Sequence, residues 1–137
     1  MEQIWALSRN LGRRPINIDG EATIQELKNK VKKFCDERDW DQYHSAKELA
    51  IGIVTESSEL LQHFRFKSKK QIEELFNSPE KKEKISEEVV DILYFLLRLS
   101  QKYDIDLTTS LDKKMDKNEK KYPVGKAKGS NKKYTEL

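Results

Sequence analysis

The amino-acid sequence predicts an all-α protein, a bundle of four helices in one domain. Long stretches are free of helix-breaking residues, because the 137 residues include only five glycines and three prolines. Apolar side chains recur at spacings of three and four residues, which is typical of helices that bury one face. A chain of this length can build one hydrophobic core, so a single domain is expected.

The first helix is expected to begin near Thr23. Thr23 is a good N-cap, and Glu26 follows three residues later, as in a capping box. The residues before it, 1–22, lack the apolar core and cleavage site of a signal peptide and are interpreted as a leader or arm. An apolar stripe marks the buried face of this helix: Ile24, Leu27, Val31 and Phe34.

The second helix is expected at about residues 46–66 and the third from about residue 79 or 80 to 103. The charged segment between them is predicted to be a loop with a short helix at 70–76. The third helix is hydrophobic nearly all round, which indicates burial on more than one side, as a central helix, a subunit interface or both.

The fourth helix is predicted at residues 107–121, with Leu107, Leu111 and Met115 facing inward and Pro123 ending it. The helical domain is therefore placed at 23–122. The remainder, 123–137, is rich in lysine and glycine and is predicted to be a flexible basic tail.

The composition is that of a folded protein with a polar surface and a modest core, and not that of a disordered chain. Charged residues make up 37% of the chain and hydrophobic residues 36%, with a net charge of +3. The segment from Lys113 onward carries nine lysines and three acids, so it holds +6 and the rest holds −3. Such a tail can contact nucleic acid or the phosphates of a small ligand, or simply be solvated.

Localisation is expected to be cytoplasmic. Cys35 is the sole cysteine, so no internal disulfide can form, which suits a reducing compartment. No apolar run is long enough to span a membrane; the longest, Ile92 to Leu97, has six residues.

Two pairs of acids lie in strongly apolar helical sequence. Glu56 and Glu59 form an E-x-x-E step, and Glu88 and Asp91 form an E-x-x-D step about thirty residues later. Acids three residues apart share a helix face, and four converging carboxylates resist burial unless a cation neutralises them. Oxygen ligands suit Mg²⁺ or Mn²⁺. The sequence therefore predicts a magnesium site between two helices.

Alternatives to this interpretation are structural. Salt bridges from Lys84 and Arg98 would explain Glu88 and Asp91, although they would leave the first acid pair unexplained. Gly52, one turn before the first pair, either leaves room for an ion or ligand or allows close helix packing. His63, four residues after Glu59, either ligates a metal or takes a solvated or capping role, and the second is expected because the other candidate ligands are all oxygen.

The order of these motifs resembles the all-α nucleoside triphosphate pyrophosphatases of the MazG-like superfamily, and especially its dCTP pyrophosphatase branch. The resemblance covers roughly residues 23–137. It rests on five stretches taken together: ERDWDQYH (37–44), TESSELLQHF (55–64), SEEVVDILYFL (86–96), KMDKNEKKYP (114–123) and KKYTEL (132–137).

The resemblance implies Mg²⁺-dependent hydrolysis of a nucleoside triphosphate, dCTP or a modified dCTP, to the monophosphate and pyrophosphate. It further implies a homodimer or homotetramer with sites completed at the subunit contact. The implied metal ligands are Glu56, Glu59, Glu88 and Asp91, of which Glu56 or Glu59 would also act on the attacking water. The implied phosphate contacts are Lys114, Asn118 and Lys121, and the implied base contacts are Trp40, His44, Phe66 and Phe95.

Two departures concern cytosine selectivity. Relatives that act on dCTP tend to have tryptophan at Phe66 and tyrosine at Phe95, so each position keeps a ring and loses a polar group. The rival prediction from another class is a non-catalytic helical interaction module that binds a protein or, as the less favoured partner, a nucleic acid. A nucleic-acid partner is not expected, because no nucleic-acid-binding fold surrounds the basic tail.

Overall fold

The computed structural model describes residues 18–137. Most of the predicted leader therefore lies outside the described residues. The described chain contains helices and no strand, which confirms the all-α prediction. The helices are α1 (Ile24–Asp36), α2 (Ala46–Phe64), α3 (Lys69–Asn77), α4 (Pro79–Lys102), α5 (Leu107–Lys121) and the short α6 (Val124–Ala127), with 3₁₀ turns at Asp41–Tyr43 and Tyr134–Glu136.

Local sequence explains where these helices begin. The predicted capping box is present, because Thr23 Oγ1 accepts from the Glu26 N–H at 3.1 Å and Glu26 Oε2 accepts from the Thr23 N–H at 2.7 Å. Ser45 and Ser68 cap α2 and α3 through their hydroxyl groups, and Asp106 caps α5 through its carboxylate. Each cap satisfies N–H groups that the first helical turn leaves without an acceptor.

Helix α4 is the centre of the bundle, as its all-round hydrophobicity predicts. It packs most extensively against α2 and also contacts α1 and α3. The buried apolar side chains come from these helices: Cys35, Leu49, Ile85 and Leu97. The α2–α4 contact is therefore the frame on which the two acid pairs are carried.

The predicted inward stripe of α5 is wrong for Leu111 and Met115 within a single chain, whereas Leu107 is half-buried. Leu111 is 60% exposed and Met115 is 49% exposed. Helix α5 has no packing partner comparable to those of α4 within the described residues. It follows a turn in which Asp104 takes a left-handed backbone conformation, with φ 52°. Periodicity identified the apolar face of α5, but the described chain leaves Leu111 and Met115 on this face exposed.

Apolar side chains are also left exposed along the main helix pair. On α2 these are Ile51, Val54 and Leu61, and on α4 they are Val89, Val90, Leu93 and Leu96, with exposures from 37% to 66%. Contiguous apolar surface of this kind usually marks an interaction site. The predicted association of subunits remains a prediction that this surface favours.

The last residues are placed against the end of α5. Tyr134 packs edge-to-face on Tyr122, with ring centroids 5.9 Å apart. Among the described residues, no helix is both long and apolar enough to cross a membrane.

Candidate functional site

Three of the four predicted acids meet between α2 and α4. Carboxylate oxygens of Glu56, Glu59 and Glu88 all lie within 4.8 Å of one another. Asp91 is outside this group, although its negative charge still acts on Glu56. Glu56 and Glu88 are half-buried and Glu59 is exposed, so the three oxygens form a partly open cluster at the edge of the helix contact. This oxygen-only donor set fits a hard divalent cation.

The electrostatics of the cluster are repulsive without a cation. Burial raises the pKa of Glu56, and the charges of Glu59, Asp91 and Glu88 raise it further. Both effects disfavour the ionised carboxylate. A bound cation would reverse them, because it supplies the opposite charge at the point where the carboxylates converge.

Salt bridging does not account for these acids. Lys84 pairs with Glu80 at 3.1 Å, and Arg98 pairs with Asp41 at 2.9 Å. Within residues 18–137, no lysine or arginine forms an ion pair with any of the four predicted ligands. The structural alternative weighed from the sequence is therefore wrong.

A histidine contacts the cluster instead. His63 Nε2 lies 3.5 Å from Glu88 Oε1, and both side chains are half-buried. The solvated role expected for His63 is wrong, because its side chain is half-buried against a predicted metal ligand, although it does lie in the last turn of α2. Its position four residues after Glu59, on the same edge of the helix, is the signal that points to this contact.

Gly52 serves close packing of α2 on α4. A Cβ atom placed on Gly52 would lie 2.5 to 2.7 Å from three ring carbons of Phe95. The ring of Phe95 therefore occupies the space that the missing side chain leaves, so that space is not a cavity for an ion. This contact places Phe95 one turn of α2 before Glu56.

Two of the predicted base-binding residues lie together. The rings of Trp40 and His44 meet edge to face with centroids 6.1 Å apart. The ring centroid of Trp40 also lies 5.6 Å from that of Phe34. The ring centroids of Phe34 and Tyr94 are 6.2 Å apart, and those of Tyr94 and Phe95 are 5.1 Å apart. A continuous aromatic row therefore links His44 and Trp40 to Phe95.

Phe66 lies just after the C-terminal end of α2, whereas His44 lies just before its N-terminal end. The 19 residues of α2 separate it from His44, and at about 1.5 Å per residue they span roughly 28 Å. Phe66 is 91% exposed and has a left-handed backbone with φ 62°. One chain therefore cannot bring Phe66 and His44 to the same base.

The predicted phosphate contacts lie on α5, apart from the carboxylates. Lys114 and Lys121 are exposed and Asn118 is half-buried. The ammonium group of Lys121 lies 5.0 Å from the ring centroid of Tyr134. Since α5 has no extensive contact with α2 or α4, the fold of one chain does not pack these residues against the acid cluster.

Comparison with known protein families identifies the family of this chain. The profile of the MazG-like family matches residues 51–137, which include all four acids and α5. The chain belongs to the MazG-like family.

Similar proteins agree with this MazG-like assignment. The chain is 33% identical over 124 residues to dCTP pyrophosphatase 1 of Mus musculus, covering 90% of this chain and 73% of the mouse protein. It is 33% identical over 117 residues to dCTP pyrophosphatase 1 of Homo sapiens, covering 85% and 69%. The crystal structure of a pyrophosphatase from Archaeoglobus fulgidus is similar with a TM-score of 0.68 and 36% identity, covering 73% of this chain and 92% of that one. The predicted family and enzyme class, a nucleotide pyrophosphatase, are confirmed.

Sequence reasoning missed one feature of this MazG-like chain. The guanidinium of Arg98 is buried and donates to His44 Nδ1, Gln101 Oε1 and Asp41 Oδ1. The signal in the sequence is an arginine directly after the apolar run of α4, a position where a charged side chain needs partners for its donors. These contacts tie the 3₁₀ turn at Asp41–Tyr43 to α4.

Proposed function

We propose that the protein is a Mg²⁺-dependent pyrophosphohydrolase that converts a deoxynucleoside triphosphate, dCTP or a modified dCTP, to the monophosphate and pyrophosphate. The observation that carries this proposal is the convergence of Glu56, Glu59 and Glu88 within 4.8 Å across the α2–α4 contact. An acid cluster with no lysine or arginine partner among the described residues is unfavourable by itself, and it is well suited to hold the cation that accompanies a triphosphate.

The chain offers four ligands for this cation. Glu56, Glu59 and Glu88 supply the convergent oxygens, and Asp91 is the fourth candidate because its charge acts on Glu56. Oxygen donors favour Mg²⁺ and admit Mn²⁺. When bound, the ion would neutralise triphosphate charge and promote ionisation of water.

The reaction needs a water molecule aligned with the α-phosphorus, opposite the pyrophosphate leaving group. Either Glu56 or Glu59 is the carboxylate assigned to orient this water and accept its proton. The P–O bond to the pyrophosphate breaks as the new P–O bond forms, and the pyrophosphate leaves with the electron pair. Lys114, Asn118 and Lys121 are assigned to the phosphates, where cationic and amide donors offset the negative charge.

The site is completed between subunits in this proposal. Within one chain, α5 has no extensive contact with the helices that carry the acid cluster, and Phe66 lies a helix length from His44. The exposed apolar faces of α2, α4 and α5 provide the surface through which a second copy would bring them close. A homodimer or a homotetramer would satisfy this requirement.

The base is assigned to the aromatic row. Trp40, His44 and Phe95 lie along it, and Phe66 would be supplied by a second copy. Aromatic rings stack on any base, so stacking alone does not select cytosine. Selectivity must come from polar groups among these rings.

The test is pyrophosphate release from a panel of canonical and 5-substituted nucleotides, with Mg²⁺ and with EDTA. Release that requires Mg²⁺ and prefers dCTP or its 5-substituted forms is expected. Turnover spread evenly over the bases would contradict the dCTP assignment and keep the reaction. Absence of release from every nucleotide would overturn the proposal.

Variants test the assigned site in the same assay. Glu59→Gln and Asp91→Asn are expected to abolish turnover while helicity, measured by circular dichroism, is retained. The matched control is Glu83→Gln, which removes an acid from α4 outside the cluster and is expected to stay active. Near-normal turnover in Glu59→Gln would refute the metal-site assignment.

A further inference from the structure

A buried arginine lies beside the histidine assigned to the base. Arg98 is 1% exposed, and it is the largest side chain that the described residues enclose fully. Burying a guanidinium is unfavourable unless every donor is matched, and an apolar side chain would fill this position on α4 without that requirement. The contacts of Arg98 therefore call for a reason other than core packing.

The contacts of the guanidinium are specific. Its Nε donates to His44 Nδ1 at 3.0 Å, its Nη1 to Gln101 Oε1 at 2.6 Å, and its Nη2 to Asp41 Oδ1 at 2.9 Å. Asp41 is held a second time, because Lys102 Nζ lies 3.2 Å from the same carboxylate oxygen. The guanidinium is thus fixed in orientation, with its Nε–H aimed at the imidazole.

This hydrogen bond determines where the imidazole carries its proton. An arginine N–H can only donate, so His44 Nδ1 must accept with its lone pair. A neutral imidazole that accepts at Nδ1 carries its hydrogen on Nε2. Protonating Nδ1 would set two N–H groups against each other.

The surrounding charges favour the same state. Burial lowers the pKa of His44, and the positive charges of Arg98 and Lys102 lower it further, while Asp41 opposes them. His44 Nε2 makes no hydrogen bond within the described part of the chain, and the ring borders Trp40. The Nε2–H is therefore a free donor at the aromatic row.

We propose that Arg98 is a positioning residue that holds His44 as an Nε2–H donor, and that this donor selects nucleobases presenting an acceptor atom to it. The inference rests on the proposed function, in which His44 contacts the base. Cytosine, uracil and thymine all offer an acceptor at O2, but only cytosine offers one at N3, where uracil and thymine carry a hydrogen, so the proposed donor faces N3. A base that turns a donor toward His44 leaves Nε2–H unpaired, and an unpaired buried donor weakens binding.

The tautomer is measured first, on the protein without nucleotide. The chain has two histidines, so the ¹⁵N-histidine spectrum is assigned by comparison with a His44→Asn variant. The expected result is an unprotonated Nδ1 and a protonated Nε2 in His44 at neutral pH, with both tautomers populated in Arg98→Met. A proton on Nδ1 in the wild-type protein, or no change in Arg98→Met, would overturn the proposal whether or not the enzyme assignment holds.

Selectivity is measured next, as the ratio of kcat/KM for dCTP over dUTP. Arg98→Met is expected to lower this ratio roughly three- to tenfold, the value of one hydrogen bond, with the change in KM for dCTP and not in kcat. The matched control is Lys102→Met, which removes a cation from Asp41 without touching His44. Equal loss of selectivity in both variants would mean that Arg98 only anchors the turn, and would overturn the proposal.

Variants of the histidine give a second measurement that does not depend on the folding of Arg98→Met. Glutamine at position 44 can place an N–H near the position of Nε2, whereas asparagine reaches only the position of Nδ1. His44→Gln is therefore expected to retain more selectivity than His44→Asn. Equal selectivity in the two would overturn the donor role. Turnover of no nucleotide at all would overturn the proposed function, and the tautomer measurement would still decide the state of His44.

Discussion

Replacing Glu56 by glutamine is expected to stabilise the metal-free protein while weakening its response to Mg²⁺. The substitution keeps the size of the side chain and removes one negative charge from a group of three whose oxygens lie within 4.8 Å of one another. Without a cation, that charge repels Glu59 and Glu88. The free energy of unfolding in EDTA should therefore rise.

The magnitude follows from the geometry. Two unit charges at the 4.8 Å limit repel by about 0.9 kcal/mol at the dielectric constant of water and about 3.5 kcal/mol at an effective value of 20. Glu59 is exposed and the other two acids are half-buried, so the lower figure applies. Glu56 takes part in two pairs, and side chains can move apart, which leaves about 1 to 2 kcal/mol. For a domain of this size the melting temperature should rise by about 3 to 7 °C.

The effect should depend on pH. The pKa of Glu56 is raised by burial and by the neighbouring acids, so the folded protein binds a proton at this site more readily than the unfolded chain does. The repulsion is absent below the ordinary glutamate pKa and grows as pH rises through the folded pKa. The difference in melting temperature should be largest at neutral pH and shrink near pH 4.

The assay is thermal unfolding in EDTA and in a Mg²⁺ series, followed by circular dichroism. Wild type should gain about 2.7 kcal/mol when Mg²⁺ exceeds its dissociation constant a hundredfold, and Glu56→Gln should lose most of that gain. Glu83→Gln, the same charge change on α4 outside the cluster, should melt and respond to Mg²⁺ like wild type. A lower melting temperature of Glu56→Gln in EDTA, or equal Mg²⁺ responses in all three proteins, would refute the reasoning.

Three further predictions concern packing and titration. Gly52→Ala should cost about 1 to 3 kcal/mol, because the new Cβ meets an aromatic ring at 2.5 Å. Gly125→Ala is the control, because a Cβ at Gly125 would meet open space, and it should not cost this stability. Equal losses of unfolding free energy in the two variants, measured by urea unfolding, would contradict the close contact at Gly52. Leu49→Ala should cost about 2 to 5 kcal/mol in the same assay because Leu49 is fully buried, whereas Val124→Ala, at a site that is 76% exposed, should cost far less. The depressed pKa of His44 predicts that unfolding free energy falls as pH drops from about 6.5 through the folded pKa. His44→Asn should remove that part of the pH profile, and an identical profile would count against burial of the ring.

Local sequence was sufficient for the helices and their ends. The capping box at Thr23 and Glu26, the proline that opens α4 and the predicted extents of the long helices all appear in the structure. Helix formation depends on contacts three and four residues apart, and those contacts can be read along the chain. The same local logic identified the two acid steps.

Other features depended on which surfaces meet. Leu111 and Met115 follow the helical period as a core stripe would, yet α5 leaves the bundle and exposes them. Arg98 resembled a partner for the acids, and the packing of α4 directed it to His44 and Asp41 instead. The linear pattern could not decide either case.

The sequence by itself determined that this chain folds as helices, which faces of them are apolar, and which acids stand at the edges of those faces. Only the tertiary structure decided that Glu56, Glu59 and Glu88 form the tight group, that Phe95 fills the space at Gly52, and that Phe66 lies at the far end of α2 from His44. The physical reason is the separation along the chain of the groups that interact. Backbone hydrogen bonds and caps act between neighbours in the chain, whereas charge convergence, steric fit and burial depend on how the helices pack against one another.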